Sequence, residues 1–141
     1  MRKDSQMNEL KITAKVENLT DVLGFIESQL GKTNCSIKAQ MQIAVAVEEI
    51  FVNIANYAYH PEIGDAVLRT EIISDPPAIA ITFIDEGVPY NPLAKPDPDV
   101  TLPAAQRKVG GLGIFMVKKS MDDLKYEYKD GKNIFTLIKH L

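Results

Sequence analysis

Residues 84–93 read IDEGVPYNPL and residues 108–122 read KVGGLGIFMVKKSMD; these two runs decide the fold. An apolar segment, Ala78 to Ile84, runs into Asp85, Glu86 and Gly87. Gly110-Gly111 and Gly113 come directly before the apolar-periodic run Ile114, Phe115, Val117. The order is strand, carboxylate, long loop, glycine turn, helix start. A helix N-terminus preceded by glycines offers free backbone N–H groups to an anion, usually a phosphate. A carboxylate at a strand end can accept from the amino group of a base. Together the two ends suit a nucleotide, and the proline-rich segment between them, residues 88–109, is expected to act as a lid, as long loops inside compact domains often do.

Upstream, Ser36 is placed to cap a helix that runs to about Tyr59, where His60-Pro61 stops it. This helix is apolar over most of its circumference and is expected to be buried. Its polar exceptions Gln42, Glu49, Asn53 and Asn56 fall within about 60° of one another by the 3.6 period, and Glu48 lies about 100° from Glu49. Glu49 and Asn53, at i and i+4, can point at one ligand. A glutamate can serve as a general base. An asparagine amide oxygen is a neutral, hard donor suited to Mg²⁺. Each element also has a plainer reading when taken singly. The stripe can be solvated or hydrogen-bonded in the core, Asp85-Glu86-Gly87 can be a simple turn, and the glycine run can be a loose loop end. Lys108 and Arg107 can meet a phosphate charge or stand as surface charges.

Elsewhere, Leu10 to Val16 alternates as a half-buried strand, and Asn18 to Asp21 offers caps for a helix ending near Gly31. Residues 66–74 and 78–84 read as two strands joined by Asp75-Pro76-Pro77, the second almost wholly apolar and hence central. A helix is expected from about Leu112 to Met121, then a hairpin turning at Asp130-Gly131. The pattern predicts a single α+β domain over residues 1–141: a mixed sheet with helices on one face, a two-layer sandwich.

With 141 residues the chain is long enough for one sizeable core. Its net charge of −3, without a lysine or arginine cluster, argues against direct nucleic-acid binding. Cys35 is the single cysteine, which excludes an internal disulfide or cysteine metal cluster and fits a reducing cytosol. No segment has the apolar length of a membrane span, and the first residues lack a signal-peptide core, so a cytoplasmic location is expected. His60 and His140 are far apart in the sequence and lend little to a histidine-based site.

Three motifs in this order resemble one family. AVEEIFVNIANYAY (46–59) is similar to the N box of the GHKL nucleotide-binding superfamily, DEGVPYNP (85–92) to its first glycine box, and GGLGIFMVKKSMD (110–122) to its second. The nearest likeness is to the bacterial anti-sigma factor serine/threonine kinases, and it covers nearly the whole chain. The resemblance implies the Bergerat histidine-kinase-like ATPase fold, with ATP and Mg²⁺ as cofactors. Glu49 then matches the catalytic base and Asn53 the Mg²⁺ ligand. Asp85 matches the adenine-reading carboxylate, while Gly87, Gly110, Gly111, Leu112 and Gly113 match positions around base and phosphates, with Lys108 beside them. The family phosphorylates a serine on a small STAS-type anti-sigma factor antagonist and otherwise sequesters a sigma factor, usually as a dimer. Two positions depart from the pattern: Val109 stands where kinase members often carry arginine, and Asn133 where a threonine often faces the nucleotide. A non-catalytic ATP-binding partner-switch module is the alternative. A phosphotransfer domain of the histidine-kinase type is disfavoured, because the chain leaves no room for an added helix pair with a phospho-accepting histidine.

Overall fold

The computed structural model describes residues 5–94 and 112–141. Strand β1 (Ser5–Thr13) leads through a 3-10 turn (Val16–Asn18) into α1 (Leu19–Leu30), then α2 (Ile37–Asn53) and a π turn (Ile54–Ala58). Strands β2 (Asp65–Ser74) and β3 (Pro77–Asp85) follow, then a 3-10 turn (Pro92–Ala94), α3 (Leu112–Ser120), and strands β4 (Asp123–Lys129) and β5 (Lys132–His140). Most of the expected lid, residues 95–109, lies outside the described residues, as do Gly110 and Gly111.

The five strands form one sheet in the order β1-β2-β3-β5-β4. Every pairing is antiparallel, which corrects the expected mixed sheet. The connection through α3 does return the chain so that β4 runs parallel to β3. The β4–β5 hairpin then slots β5 between them, so the two parallel strands never pair. Asp130 and Gly131, at φ 53° and 76°, make the turn that lets this hairpin close.

Alternate residues of the central strands face the helices: Leu68 and Thr70 on β2, Ile81, Phe83 and Asp85 on β3, Asn133, Phe135 and Leu137 on β5. They meet Val22 and Ile26 of α1, Ile43, Val47, Ile50 and Phe51 of α2, and Ile114 and Val117 of α3. Burial of a side chain of this size stabilises by roughly 1.5–3 kcal/mol. The layer is thus held by the period-2 faces of three strands against the period-3.6 faces of three helices.

Three local expectations are revised. Helix α2 is not buried all round: Ile37, Met41 and Val45 are 76%, 65% and 60% exposed, a stripe at i, i+4 and i+8. Its flanks are covered by α1 and α3 and its inner face by the sheet, and nothing among the described residues covers the outer face. Asn18 does not cap α1 through its side chain; that amide donates to the Thr13 carbonyl at 2.8 Å. Gly31 ends α1 at φ −62°, without a left-handed turn. Ser36 does cap α2, its Oγ accepting from Ala39 N–H at 3.1 Å.

Candidate functional site

The C-terminal half of α2 and the end of β3 converge on one cavity of about 510 Å³. A volume in that range fits a small-molecule site. Its walls are apolar, with Ile50, Ile54, Phe83 and Phe135 among them, and its polar groups are few: Glu49, Asn53, Asp85, Asn133 and tyrosine side chains. Helix α2 changes from α to π geometry at Ile54–Ala58, and Ile54, Tyr57 and Ala58 of that turn line the cavity. Such π turns are frequent at functional sites.

Glu49 and Asn53 share a helix face, as their spacing requires, and Asn53 Nδ2 donates to Glu49 Oε2 at 3.0 Å. That bond uses the amide nitrogen and leaves the Asn53 amide oxygen with no donor among the described residues, so it can ligate a cation. Gly113 sits in the first turn of α3, pressed against Glu49: a Cβ at Gly113 would overlap the Glu49 carboxylate. Glu48 is exposed on another face.

Asp85 closes β3 and is only 5% exposed. Its Oδ1 accepts from Gly87 N–H and from Asn133 Nδ2, both at 2.9 Å. Burial pushes its carboxyl above the usual carboxylate range, and these two hydrogen bonds offset part of that rise. Asn133 lies opposite Asp85 in the β3–β5 register. Its carboxamide also donates to the Val88 carbonyl at 2.9 Å, while its oxygen accepts from Tyr90 N–H at 3.0 Å and from the Tyr126 hydroxyl at 2.5 Å.

The loop after Asp85 is tied from the other side as well. Val88 N–H donates to the Ala58 carbonyl at 2.9 Å, and the Tyr59 hydroxyl accepts from Glu86 N–H at 2.7 Å while donating to the Asp65 carbonyl at 2.6 Å. Burial raises the Tyr59 hydroxyl above its ordinary pKa. At Gly87 a Cβ would overlap the Ala58 carbonyl, which is main chain and cannot rotate away. Gly87→Ala is therefore expected to lower stability by about 1–3 kcal/mol, read as a fall in the midpoint of urea denaturation. A midpoint equal to the parent's would mean that the loop does not pack on the π turn.

Of the residues singled out by sequence, Glu49, Asn53 and Asp85 line this cavity, Gly87 braces Asp85, and Gly113 faces Glu49. Leu112 opens α3, and its backbone alone is described. Lys108, Gly110 and Gly111 lie outside the described residues. Sequence reasoning missed Tyr126 and treated Asn133 only as a departure. The signal for both was the hairpin: with Asp130-Gly131 as its turn, Tyr126 falls opposite Phe135, and Asn133 interrupts the apolar alternation of β5. Tyr57, in the π turn that follows α2, is exposed and lines the cavity.

No group of three or more His, Cys, Asp or Glu is assembled to hold a metal among the described residues. A cation at Asn53 would complete its shell with phosphate oxygens and water, as Mg²⁺ commonly does. The donor set therefore fits a metal that arrives with a nucleotide. No helix is long and apolar enough to cross a membrane among the described residues.

A family model described as a histidine kinase-like ATPase domain matches residues 12–139. The serine/threonine-protein kinase BtrW of Bordetella bronchiseptica is 22% identical over 136 residues, covering 96% of this chain and 95% of that protein. The serine-protein kinase RsbW of Bacillus cereus is 24% identical over 130 residues, covering 89% and 80% respectively. Among solved structures, the RsbU and RsbW domains of Rv1364c from Mycobacterium tuberculosis superpose with a TM-score of 0.65 at 15% identity. That match covers 95% of this chain and 32% of the larger one, and it shows a shared fold.

Proposed function

The chain belongs to the histidine kinase-like ATPase family, whose model spans residues 12–139, and on that premise we propose that it is an ATP- and Mg²⁺-dependent protein serine kinase acting as an anti-sigma factor. Its substrate is a serine on a small STAS-type anti-sigma factor antagonist; its other partner is a sigma factor, held by a homodimer. The observation that carries this reading is that one cavity receives Glu49 and Asn53 from α2 and Asp85 from β3.

Each residue has a task there. Asp85 accepts from the adenine amino group. Asn53 offers its amide oxygen to Mg²⁺, which when bound neutralises charge on the phosphates. By the sequence motif, Lys108 and the backbone of Gly110, Gly111, Leu112 and Gly113 take the phosphates. Glu49 takes the proton of the incoming serine hydroxyl. Gly113, lacking a side chain, leaves room for that carboxylate.

A second reading keeps the ATP site without transfer: a partner-switch module that binds and releases partners with nucleotide. It is favoured by Val109, where related kinases often carry arginine, with only Lys108 beside it, since a lysine is a less geometrically specific phosphate partner. Incubation with γ-labelled ATP, Mg²⁺ and candidate antagonist proteins separates the two. Label is expected on a serine of one candidate. Absence of label on every partner the chain binds would leave the second reading, and absence of ATP binding by calorimetry would remove both.

A further inference from the structure

We propose that Tyr126 is a second base-reading residue, set as an acceptor by Asn133, so that the cavity recognises both N–H bonds of an exocyclic amino group. The proposal rests on the nucleotide-binding reading above and concerns what selects the base.

The argument is a count of protons. Tyr90 N–H can only donate, so the Asn133 atom 3.0 Å from it is the amide oxygen. The Val88 carbonyl can only accept, so the atom 2.9 Å from it is the amide nitrogen. The two contacts fix the orientation of the carboxamide from opposite ends, and the 2.9 Å approach of Nδ2 to Asp85 Oδ1 agrees with it. Asn133 is 6% exposed, and its donors and acceptors are occupied within the protein.

The Tyr126 hydroxyl lies 2.5 Å from the same amide oxygen, which has no proton to give. Tyr126 must donate its one proton there. What its oxygen then offers the cavity it lines is lone pairs alone. Asp85, when ionised, is likewise acceptor-only, and Gly87 N–H and Asn133 Nδ2 both fall on its Oδ1. Two acceptors thus hang from the two arms of one carboxamide. An amino group reaches an acceptor at about 2.9 Å along each of its N–H bonds, so one –NH₂ can bridge them. A 6-oxo purine meets lone pairs at both places. Asn133 acts through its neighbours and is a positioning residue; Tyr126 touches the base.

Nucleotide binding to the full chain, measured by calorimetry, tests this with ATP, ITP and N6-methyl-ATP as probes. The parent is expected to prefer ATP to ITP by at least tenfold. Tyr126→Phe is expected to weaken ATP about three- to tenfold, leave ITP unchanged or tighter, and so shrink the ratio. N6-methyl-ATP has one N–H fewer and is expected to bind the parent more weakly than ATP by a similar factor, with little further loss on Tyr126→Phe. That pair of results isolates the hydroxyl–amino contact, and a general loosening of the site would scale all three probes together. Should Tyr126→Phe fold poorly, the parent's own ATP to N6-methyl-ATP ratio decides; a ratio of one overturns the proposal. An unaltered ATP to ITP ratio in folded Tyr126→Phe overturns it while leaving the nucleotide site standing. Failure of the parent to bind any of the three overturns both.

Discussion

Glu49→Gln should keep ATP affinity and lose most phosphoryl transfer to the partner, by about 10²–10⁴ in rate, the usual size of a general-base effect. The substitution preserves shape and the ability to accept from Asn53 Nδ2, which sits 3.0 Å from Oε2. It removes only basicity. Glu48→Gln is the matched control: it lies next in sequence, is exposed on a different face, and should transfer at the parent rate. Asn53→Ala should differ from both by weakening Mg²⁺-dependent binding. Gly113→Ala adds a steric arm. Its methyl would meet the far end of the Glu49 side chain, which can swing away, so stability should change little while the carboxylate leaves its position. Single-turnover transfer with labelled ATP, at matched melting temperatures, reads all four. Parent-rate transfer by Glu49→Gln would remove Glu49 from the role of base.

Why Glu49 stands out in the sequence more plainly than Tyr126 follows from how far each signal reaches. Glu49 and Asn53 are four residues apart on one helix, and the 3.6 period puts them on one face before anything else is known. Asp85 is marked by an apolar strand that ends in a carboxylate. Gly113 is marked by the helix whose first turn it occupies. All are local signals. Tyr126 and Asn133 reach the cavity through strand register, and the position of β5 between β3 and β4 depends on non-local pairing. Local alternation says which residues share a face and is silent on which strand lies beside which. The same limit explains the sheet, where expected parallel pairing is replaced by an inserted hairpin strand. It also explains α2. Periodicity counts apolar residues around the helix, but burial depends on neighbours, and α1, α3 and the sheet leave Ile37, Met41 and Val45 uncovered. Asn18 shows a smaller case: a good capping residue spends its side chain on the preceding strand.

Asp85→Asn is expected to do more than weaken ATP; it should reverse the preference between 6-amino and 6-oxo purines. Gly87 N–H and Asn133 Nδ2 both donate to Oδ1 of residue 85, and neither can accept. An asparagine there must turn its oxygen toward them and its NH₂ toward the cavity. The amino group of adenine then faces a donor where it had an acceptor, and a 6-oxo group faces a partner. Loss of a hydrogen bond to a charged group costs roughly 1.5–3 kcal/mol, about ten- to 150-fold in ATP affinity, and ITP should tighten. Stability should move the other way. Burial raises the Asp85 carboxyl, so the folded protein holds its proton to higher pH than the unfolded chain does. The contribution of that group to stability is present in full below the unfolded value and is lost as pH rises through the folded one. The melting temperature of Asp85→Asn relative to the parent should therefore climb from acid toward neutral pH. By the same linkage, ATP affinity of the parent should fall on acidification earlier than an ordinary carboxylate would require, because the protonated acid is no longer an acceptor-only group. Titrations with ATP and ITP across that range, with melting curves at each pH, measure both effects. A variant that still prefers ATP as strongly as the parent would show that residue 85 does not read the base.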